Sequence, residues 1–418
     1  MKESLCRQEV YEPTKSLLRP CPLCAAARGR VLEELRFEVY ADCPVGGDFS
    51  LVACDHCGFV FYDTASKQAD FDRYYLGNDY YCTTLTAGSG GTTQEDWRRF
   101  QAIAARIAPY IPGPDAAIFD VGCGKGGLLL ALGQRGYTRL FGVDLNPSCV
   151  AHVQEEVGAT GGIGSALALP FPEVKADVLV YSHIVEHVID LDAVVASAQE
   201  KLNPGGIICV EVPDAHRYGE FSGLPYQDLC MEHINHFSRE SLAQMFQQRG
   251  FTALSQGEFI VRAGPRGYTP CTWAIFRQGN PGKPDVSRSL ELYLREYLDW
   301  SANHPVLQDL ARLAAARTPL HVWGISQFAL LLLGHSPLGR AELQGFVDRD
   351  SYKQSRRLLG HPIQPPEVLR RVGPGHAVLI TAQGYEEQII EALRSMEFRG
   401  TVLTLTSTGL EVAEGFPT

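Results

Sequence analysis

The chain has 418 residues, more than one typical hydrophobic core accommodates, so two or three domains are expected. Its net charge of −11 argues against non-specific nucleic-acid binding, which needs a basic surface. No apolar run approaches the length of a membrane span, and the N-terminus lacks the apolar core of a signal peptide. We therefore expect a cytoplasmic protein, a monomer that acts on a small molecule rather than on nucleic acid or a membrane.

Two cysteine pairs lie near the N-terminus. Cys21 and Cys24 are separated by two residues, and so are Cys54 and Cys57. Twelve cysteines without a signal peptide indicate a reducing compartment, where paired cysteines more often bind metal than form disulfides. Four thiolates complete a tetrahedral zinc site that has no open coordination position. The spacing predicts a structural zinc ion in a small, strand-rich module over residues 1–82.

A glycine-rich turn follows the first predicted strand of a region that alternates strand and helix. The strand covers 116–119, and the turn has the pattern D-x-G-x-G-x-G and leads into an apolar helix. The next strand, 139–143, runs into Asp144. Glycines let the backbone approach a nucleotide, and an acid at the next strand end can hold ribose hydroxyls. Asp120 heads the turn, where it suits a cationic ligand and repels a phosphate, so a dinucleotide site is disfavoured.

The first of two histidine-rich clusters follows the predicted fourth strand of this sheet. Its sequence is S-H-I-V-E-H, and His183 and His187 are expected near the ligand because the carboxyl end of this strand faces the pocket. The spacing H-x-x-E-H also occurs in zinc proteases, but there it needs a long helix and a distant third ligand. A structural role for Glu186 and His187 at a helix start stays open. So does a catalytic metal held by these histidines together with His233 and His236.

The second cluster follows the next predicted strand and should cover the same pocket. Here Glu232 precedes His233. A glutamate beside a histidine can hold the imidazole in one tautomer and raise its basicity, so the pair suits proton removal from a carbon next to a ketone. The resulting enolate can attack an electrophilic methyl group, with the protein supplying proximity and charge stabilisation.

A polar segment over 264–284 is typical of a domain boundary, and residues 286–316 are predicted to be helical. From Leu320 a second alternation of strand and helix begins, which predicts a second, smaller doubly wound unit. Its first turn, 324–327, lacks the full G-x-G-x-x-G pattern, so no cofactor is expected there.

The turn at Asp120 resembles motif I of the class I S-adenosylmethionine-dependent methyltransferases. The family implies an α/β fold with a doubly wound sheet, here over residues 83–270. It often has an aspartate at the position of Ser165, so backbone groups are expected to hold the adenine here. The resemblance implies a cofactor site made of Asp120, Gly122 and Gly124 at the amino-acid end, Asp144 at the ribose, and Ser165 and His183 nearby.

The order of the parts resembles the sugar C-methyltransferases, which act on nucleotide-linked 4-keto-6-deoxysugars in deoxysugar biosynthesis. The resemblance covers nearly the whole chain and includes V-W-G at 322–324 and V-D-R-D at 347–350. It implies an N-terminal zinc-binding domain, the central methyltransferase domain and a C-terminal Rossmann-like α/β substrate domain over 285–418. It also implies these catalytic residues: His233 as the base, Glu232 beside it, and His187 with Tyr80 or Tyr81 at the sugar.

Two positions depart from that family, and both are expected to touch the substrate. Cys230 stands where a tyrosine is common, and His183 where an asparagine is common. An O- or N-methyltransferase acting on a polysaccharide or a natural product is therefore the alternative, and a non-catalytic binding protein with a relic cofactor fold is another. The resemblance implies that the C-terminal domain seats the nucleotide end of the substrate. Its candidate phosphate partners, which otherwise form a solvated basic patch, are Lys353, Arg356 and Arg357.

Overall fold

The computed structural model describes residues 14–76, 93–263, 267–279 and 288–417, and their strands pair into three sheets. Tyr80 and Tyr81 lie outside these residues. Among the described helices, none combines the length and apolar character that crossing a bilayer requires. The predicted α/β class is confirmed, whereas the predicted domain boundaries stay predictions.

The first sheet is antiparallel, and its last strand comes from far along the chain. Its strand order is β1-β2-β3-β4-β10. Helix α1, Gln68–Leu76, follows β4. The strands are β1 (Thr14–Ser16), β2 (Arg28–Arg36), β3 (Asp48–Cys54), β4 (Val60–Asp63) and β10 (Asn235–His236).

Strands β3 and β4 are buried on both faces, because successive side chains point to opposite sides of a sheet. The side chains of one face pack into the core that extends into the C-terminal part of the chain; they include Leu51, Val60 and Tyr62. Those of the other face, including Val52 and Phe61, pack into the core of the central sheet. The first sheet therefore lies between the two α/β units and is in contact with both.

The central sheet has the order β11-β12-β9-β8-β5-β6-β7. Strands β5 to β9 are parallel, and β11 and β12 form an antiparallel hairpin added beside β9. The chain continues from β5 to β6 on one side and returns to β8 on the other, so the ends of these strands form a switch point. In chain order the elements are α2 (Gln94–Ile107), β5 (Ala117–Val121), α3 (Gly127–Gly133), β6 (Arg139–Asp144), α4 (Pro147–His152), β7 (Thr160–Ile163), β8 (Ala176–Ser182), α5 (Leu191–Lys201), β9 (Leu202–Pro213), α6 (Tyr218–Phe221), α7 (Arg239–Gln247), β11 (Phe251–Ala263) and β12 (Gly267–Gln278).

The predicted helical run before the third sheet is two helices, α8 (Ser289–Ala302) and α9 (Pro305–Ala316). The side chain of His304 accepts a hydrogen bond from the backbone of Val306 and caps α9, and proline follows at the first helical position, where its missing N–H costs nothing.

The third sheet has the order β15-β16-β14-β13-β17-β18-β19, with four parallel strand pairs at its centre. Its elements are β13 (Leu320–Trp323), α10 (Gln327–His335), β14 (Leu343–Val347), α11 (Ser351–Gln354), β15 (Arg357–Leu358), β16 (His361–Gln364), β17 (Ala377–Ile380), α12 (Glu386–Ser395), β18 (Thr401–Thr406) and β19 (Gly409–Val412).

A buried arginine joins the first sheet to the loops of the central one. Arg19 donates from Nε to the carbonyl of Tyr62 at 3.0 Å and from Nη2 to the carbonyl of Ile234 at 3.1 Å. The same nitrogen donates to Oδ1 of Asn235 at 3.1 Å, and Asn235 in turn donates to the carbonyls of Val185 and Val188. These hydrogen bonds connect the two segments that carry the histidine-rich clusters, one after β8 and one before β10.

We expect Arg19→Met to lower the free energy of unfolding by about 3 kcal/mol, because it removes the buried hydrogen bonds of Arg19 to Tyr62, Ile234 and Asn235. The control is Arg28→Met, since Arg28 is exposed and bonds only the strand end at Thr14. Calorimetric unfolding of both variants checks this. Equal unfolding temperatures for the two variants would show that Arg19 does not hold the sheets together.

Candidate functional site

A cavity of about 380 Å³ opens at the carboxyl ends of β5, β6 and β8. It lies at the switch point, where ligands bind in open α/β sheets. The turn after β5 needs glycine at 122, which has φ of +75° and where a Cβ would lie 1.9 Å from Cδ1 of Ile184. All six residues of the predicted cofactor site line the cavity: Asp120, Gly122, Gly124, Asp144, Ser165 and His183.

Two carboxylates lie at the ends of β5 and β6: Asp120 is buried and Asp144 is half-buried. Asp144 accepts hydrogen bonds from the backbone of Gly124 at 3.0 Å and of Asn146 at 2.9 Å, so it fixes the glycine turn relative to β6. Burial raises the pKa of Asp120 to about 7, and a cation placed against it would restore the ionised form. This arrangement suits a ligand with an ammonium or sulfonium group.

Arg99 of α2 also lines the cavity, although sequence reasoning did not single it out. It donates to Oγ of Ser182 at 2.9 Å, and its charge lowers the pKa of Asp120 against the effect of burial. An arginine beside an aspartate provides complementary partners for a ligand that carries both an amino group and a carboxylate. The only local signal was a basic pair within an amphipathic helix, which is common on protein surfaces.

The histidines at the cavity are in their neutral form at pH 7. Burial lowers the pKa of His233 to about 4 and that of His183 to about 3, and it also lowers the pKa of His187. A neutral imidazole is the form that accepts a proton. His183 has φ of +57°, a conformation that costs energy for a residue with a side chain, and such outliers cluster at functional sites.

Side chains from all three regions of the chain meet at Glu232. Its Oε1 accepts hydrogen bonds from Oη of Tyr74 at 2.7 Å and from Nε2 of Gln327 at 2.8 Å. Its backbone carbonyl lies 3.0 Å from Nδ1 of His187, and Oη of Tyr75 lies 2.9 Å from the same nitrogen. The segment with the predicted base is therefore held by helix α1, by the central sheet and by the first turn of α10.

A second cavity, of about 660 Å³, lies at the carboxyl end of β13 in the third sheet. Glu232 lines both cavities. The walls of the second cavity combine aromatic rings with two cations: Tyr40, Trp323, Tyr352, Tyr385, Arg349 and Lys353.

Among the candidate phosphate partners, only Lys353 lines this cavity, where it pairs with Asp348 at 3.2 Å. Arg356 instead pairs with Asp42 and bonds Tyr352, and Arg357 bonds the carbonyl of Gly360. Their role at a phosphate stays a prediction. Arg349, which the sequence analysis placed only within a motif, is the second cation of the cavity.

Other predicted positions lie elsewhere. His236 is fully buried on β10, with its ring 4.8 Å from that of Tyr62, and it is not among the side chains whose ligand atoms converge with those of His187 and His233. Cys230, expected to touch the substrate, lines neither cavity. The predicted Tyr80 and Tyr81 lie outside the described residues, whereas the neighbouring Tyr74 and Tyr75 reach the site from α1.

The four paired cysteines converge at one point of the first sheet. Sγ of Cys21 lies 3.6 Å from that of Cys57, Sγ of Cys24 lies 3.5 Å from that of Cys54, and all four lie within 4.8 Å of one another. Sulfurs bound to one zinc ion, each about 2.3 Å from it, have separations of this order. The donor set and its geometry therefore fit a structural zinc ion.

Residues 93–256 match the family model of a methyltransferase domain. A probable S-adenosylmethionine-dependent methyltransferase of Mycolicibacterium smegmatis is 26% identical over 166 residues, which are 38% of this chain and 62% of that protein. A ubiquinone/menaquinone biosynthesis C-methyltransferase of Caulobacter sp. is 27% identical over 172 residues, covering 37% of this chain and 65% of that protein. The chain thus spans less than two thirds of the length of these relatives.

Among solved structures, a protein from Pyrococcus horikoshii OT3 has 18% sequence identity and a TM-score of 0.37, with 50% of this chain and 99% of that one covered. A TM-score of this size does not establish the fold, so the fold assignment rests on the strand order and the family match. Residues 93–256 are a class I S-adenosylmethionine-dependent methyltransferase domain.

Proposed function

We propose that the protein transfers a methyl group from S-adenosylmethionine to a carbon atom of an activated keto-sugar, of the nucleotide-linked 4-keto-6-deoxysugar class. The observation that carries the proposal is the position of Glu232, which lines both the cofactor cavity and the cavity of the third sheet. An acceptor with two chemically different ends can place its reacting end beside His233 and its other end in the second cavity.

The residues of the first cavity fit the cofactor. Asp120 faces the cationic amino-acid end together with Arg99, which offers a partner for the carboxylate, and Asp144 lies where a ribose binds. S-adenosylmethionine supplies an electrophilic methyl group on a sulfonium.

His233 acts as the base. Being neutral, it takes the proton from the carbon next to the ketone, and the electron pair of the broken C–H bond forms the enolate. The enolate carbon then bonds to the methyl group, and the electron pair of the old methyl–sulfur bond stays on sulfur. Glu232 stabilises the protonated imidazole by its charge, and His187 with the tyrosine hydroxyls of α1 orients the sugar.

The second cavity suits the nucleotide end of such an acceptor. Half-buried rings such as Tyr352 and Tyr385 can stack on a base, and Arg349 and Lys353 can neutralise a diphosphate. Carbon as the acceptor atom is supported by the similarity to a C-methyltransferase from Caulobacter. Methylation of oxygen or nitrogen on a polysaccharide or natural product is the alternative outcome of the test below.

We also propose that Cys21, Cys24, Cys54 and Cys57 bind one structural zinc ion. With four thiolate ligands the ion has no open position, so its contribution is to the stability of the first sheet. That sheet packs on both α/β units, so the zinc site supports the active site without touching it.

The function is tested by mass spectrometry of nucleotide-linked 4-keto-6-deoxysugars incubated with S-adenosylmethionine in deuterated water. We expect one added methyl group, and deuterium at the carbon next to the ketone even without cofactor. His233→Asn should lower both by about 100-fold or more, because a positioned base contributes about that much. The control His361→Asn, at a residue that lines neither cavity, should keep both methyl transfer and deuterium exchange.

A gain of the methyl group without deuterium would indicate oxygen or nitrogen as the acceptor atom. No gain of a methyl group despite cofactor binding would rule out the sugar as substrate.

Gln327→Leu should lower kcat about tenfold, because a hydrogen bond to a charged group is worth about 1.5–3 kcal/mol. The substitution removes one of the donors to Oε1 of Glu232, while Tyr74 keeps its own hydrogen bond to that atom. Steady-state kinetics check this, with Gln256→Leu, at an exposed position of β11, as the control. A raised KM with unchanged kcat would show that Gln327 only contacts the substrate.

Cys54→Ser should lower the zinc content by one ion per chain and lower the unfolding temperature, because Cys54 is a fully buried member of the cluster. Elemental analysis by mass spectrometry and calorimetry check both effects. Cys43→Ser, at a half-buried cysteine outside the cluster, should change neither. An unchanged zinc content in Cys54→Ser would contradict the assignment.

A further inference from the structure

Three side chains with metal-binding chemistry converge beside the cofactor cavity: His187 and His233 line it, and Glu186 is buried behind them. One ligand atom from each of Glu186, His187 and His233 lies within 4.8 Å of the others. Glu186 and His187 belong to the turn after β8, and His233 comes from the loop before β10. The two segments are joined by Asn235, which donates to the carbonyls on either side of Glu186 and His187.

The carboxylate of Glu186 is 1% exposed, and among the described residues neither of its oxygens has a hydrogen-bond partner. Its nearest neighbours are ring nitrogens: Nδ1 of His183 lies 3.2 Å from Oε1, and Nε2 of His187 lies 3.9 Å from it. A buried carboxylate without donors is costly, and proteins pair such groups or use them to coordinate metals. A positive charge next to Glu186 would therefore stabilise this carboxylate.

One tautomer of His187 directs a lone pair at that carboxylate. Nδ1 of His187 lies 3.0 Å from the carbonyl of Glu232 and 2.9 Å from Oη of Tyr75, and in the tautomer that carries the hydrogen on Nδ1 it donates to the carbonyl. Nε2 then has a lone pair. A histidine that donates its other N–H to a backbone carbonyl is the usual outer support of a metal-ligating imidazole.

The distance between Nε2 of His187 and Oε1 of Glu186 excludes a hydrogen bond between them. At 3.9 Å the pair is too far apart for one. Two ligand atoms bound at tetrahedral angles to one zinc ion, each about 2.0–2.2 Å from it, lie about 3.4 Å apart. The ligand atoms of the three side chains lie within 4.8 Å of one another, so they must move closer together when an ion binds.

We propose that Glu186, His187 and His233 bind one divalent transition-metal ion, with its remaining coordination positions open to the cofactor cavity. Two imidazoles and one carboxylate suit zinc, cobalt and iron rather than magnesium or calcium. The functional consequence rests on the proposed function: the ion and the substrate's proton compete for the same nitrogen of His233, so the metal-loaded form is inactive in methyl transfer.

The binding site is tested with Co²⁺ alone, without substrate or cofactor. We expect the full-length protein to bind one more cobalt ion per chain than Glu186→Gln does, and the additional ion to show visible ligand-field bands without thiolate charge-transfer absorption. Glu200→Gln, at an exposed glutamate of α5, is the matched control and should bind as the unmodified chain does. His233→Asn should lose the same ion, which keeps the test valid if Glu186→Gln does not fold.

Equal cobalt content in Glu186→Gln, His233→Asn and the unmodified chain would overturn the site. The competition is tested separately: one added equivalent of Zn²⁺ should suppress methyl transfer at least tenfold in the Glu200→Gln control and less than twofold in Glu186→Gln. Activation by Zn²⁺ would overturn the competition. Because cobalt binding is measured without turnover, failure of the sugar assay would leave the metal result standing.

Discussion

The arrangement of the whole molecule depends on the two-sided burial of strands β3 and β4. Alternate side chains of these strands enter two different hydrophobic cores, so the small first sheet has no solvated face along them. Burial of apolar side chains stabilises by about 25 cal/mol per Å². If either α/β unit separated from this sheet, the side chains on one face of β3 and β4 would be exposed to water. The same apolar burial that stabilises the fold therefore also holds the units in position.

That constraint explains how a functional site can be built from three distant segments. Helix α1 leaves the first sheet carrying Tyr74 and Tyr75, strand β10 brings the loop with Glu232 to the same sheet, and α10 of the third sheet contributes Gln327. Hydrogen bonds of 2.7 to 3.0 Å among them need fixed backbones, because such bonds weaken when either partner is displaced. The proposed zinc site and the hydrogen bonds of Arg19 lie in the sheet on which these segments are supported.

The sequence predicted the features that one strand, its turn and the next strand determine. The glycine turn, Asp144 and the histidine after β8 line the predicted cavity because strand ends meet at one edge of a parallel sheet. Tyr74, Arg99 and Gln327 were not predicted, since their roles depend on packing between segments far apart in the chain. His236 was an open alternative as a metal ligand, but three residues after His233, on the short strand β10, its side chain is buried in a core that sequence proximity to His233 did not reveal.

The second cavity differs in a physical respect from a dinucleotide site built on a similar sheet. The acid at the end of β14, Asp348, accepts hydrogen bonds from the backbone of Ile325 at 2.8 Å and of Asp350 at 3.0 Å, and it pairs with Lys353. Asp144 of the first cavity accepts two backbone hydrogen bonds of the same kind, and Asp348 differs from it in pairing with a lysine. In a dinucleotide site the corresponding acid binds ribose. Gly324 has φ of +100°, and a Cβ there would lie 2.4 Å from that of Ala382, so this turn is tightly packed against the neighbouring loop. The half-buried aromatic rings and Arg349 are left to contact a ligand, which supports the proposal of an acceptor with a flat base and a phosphate.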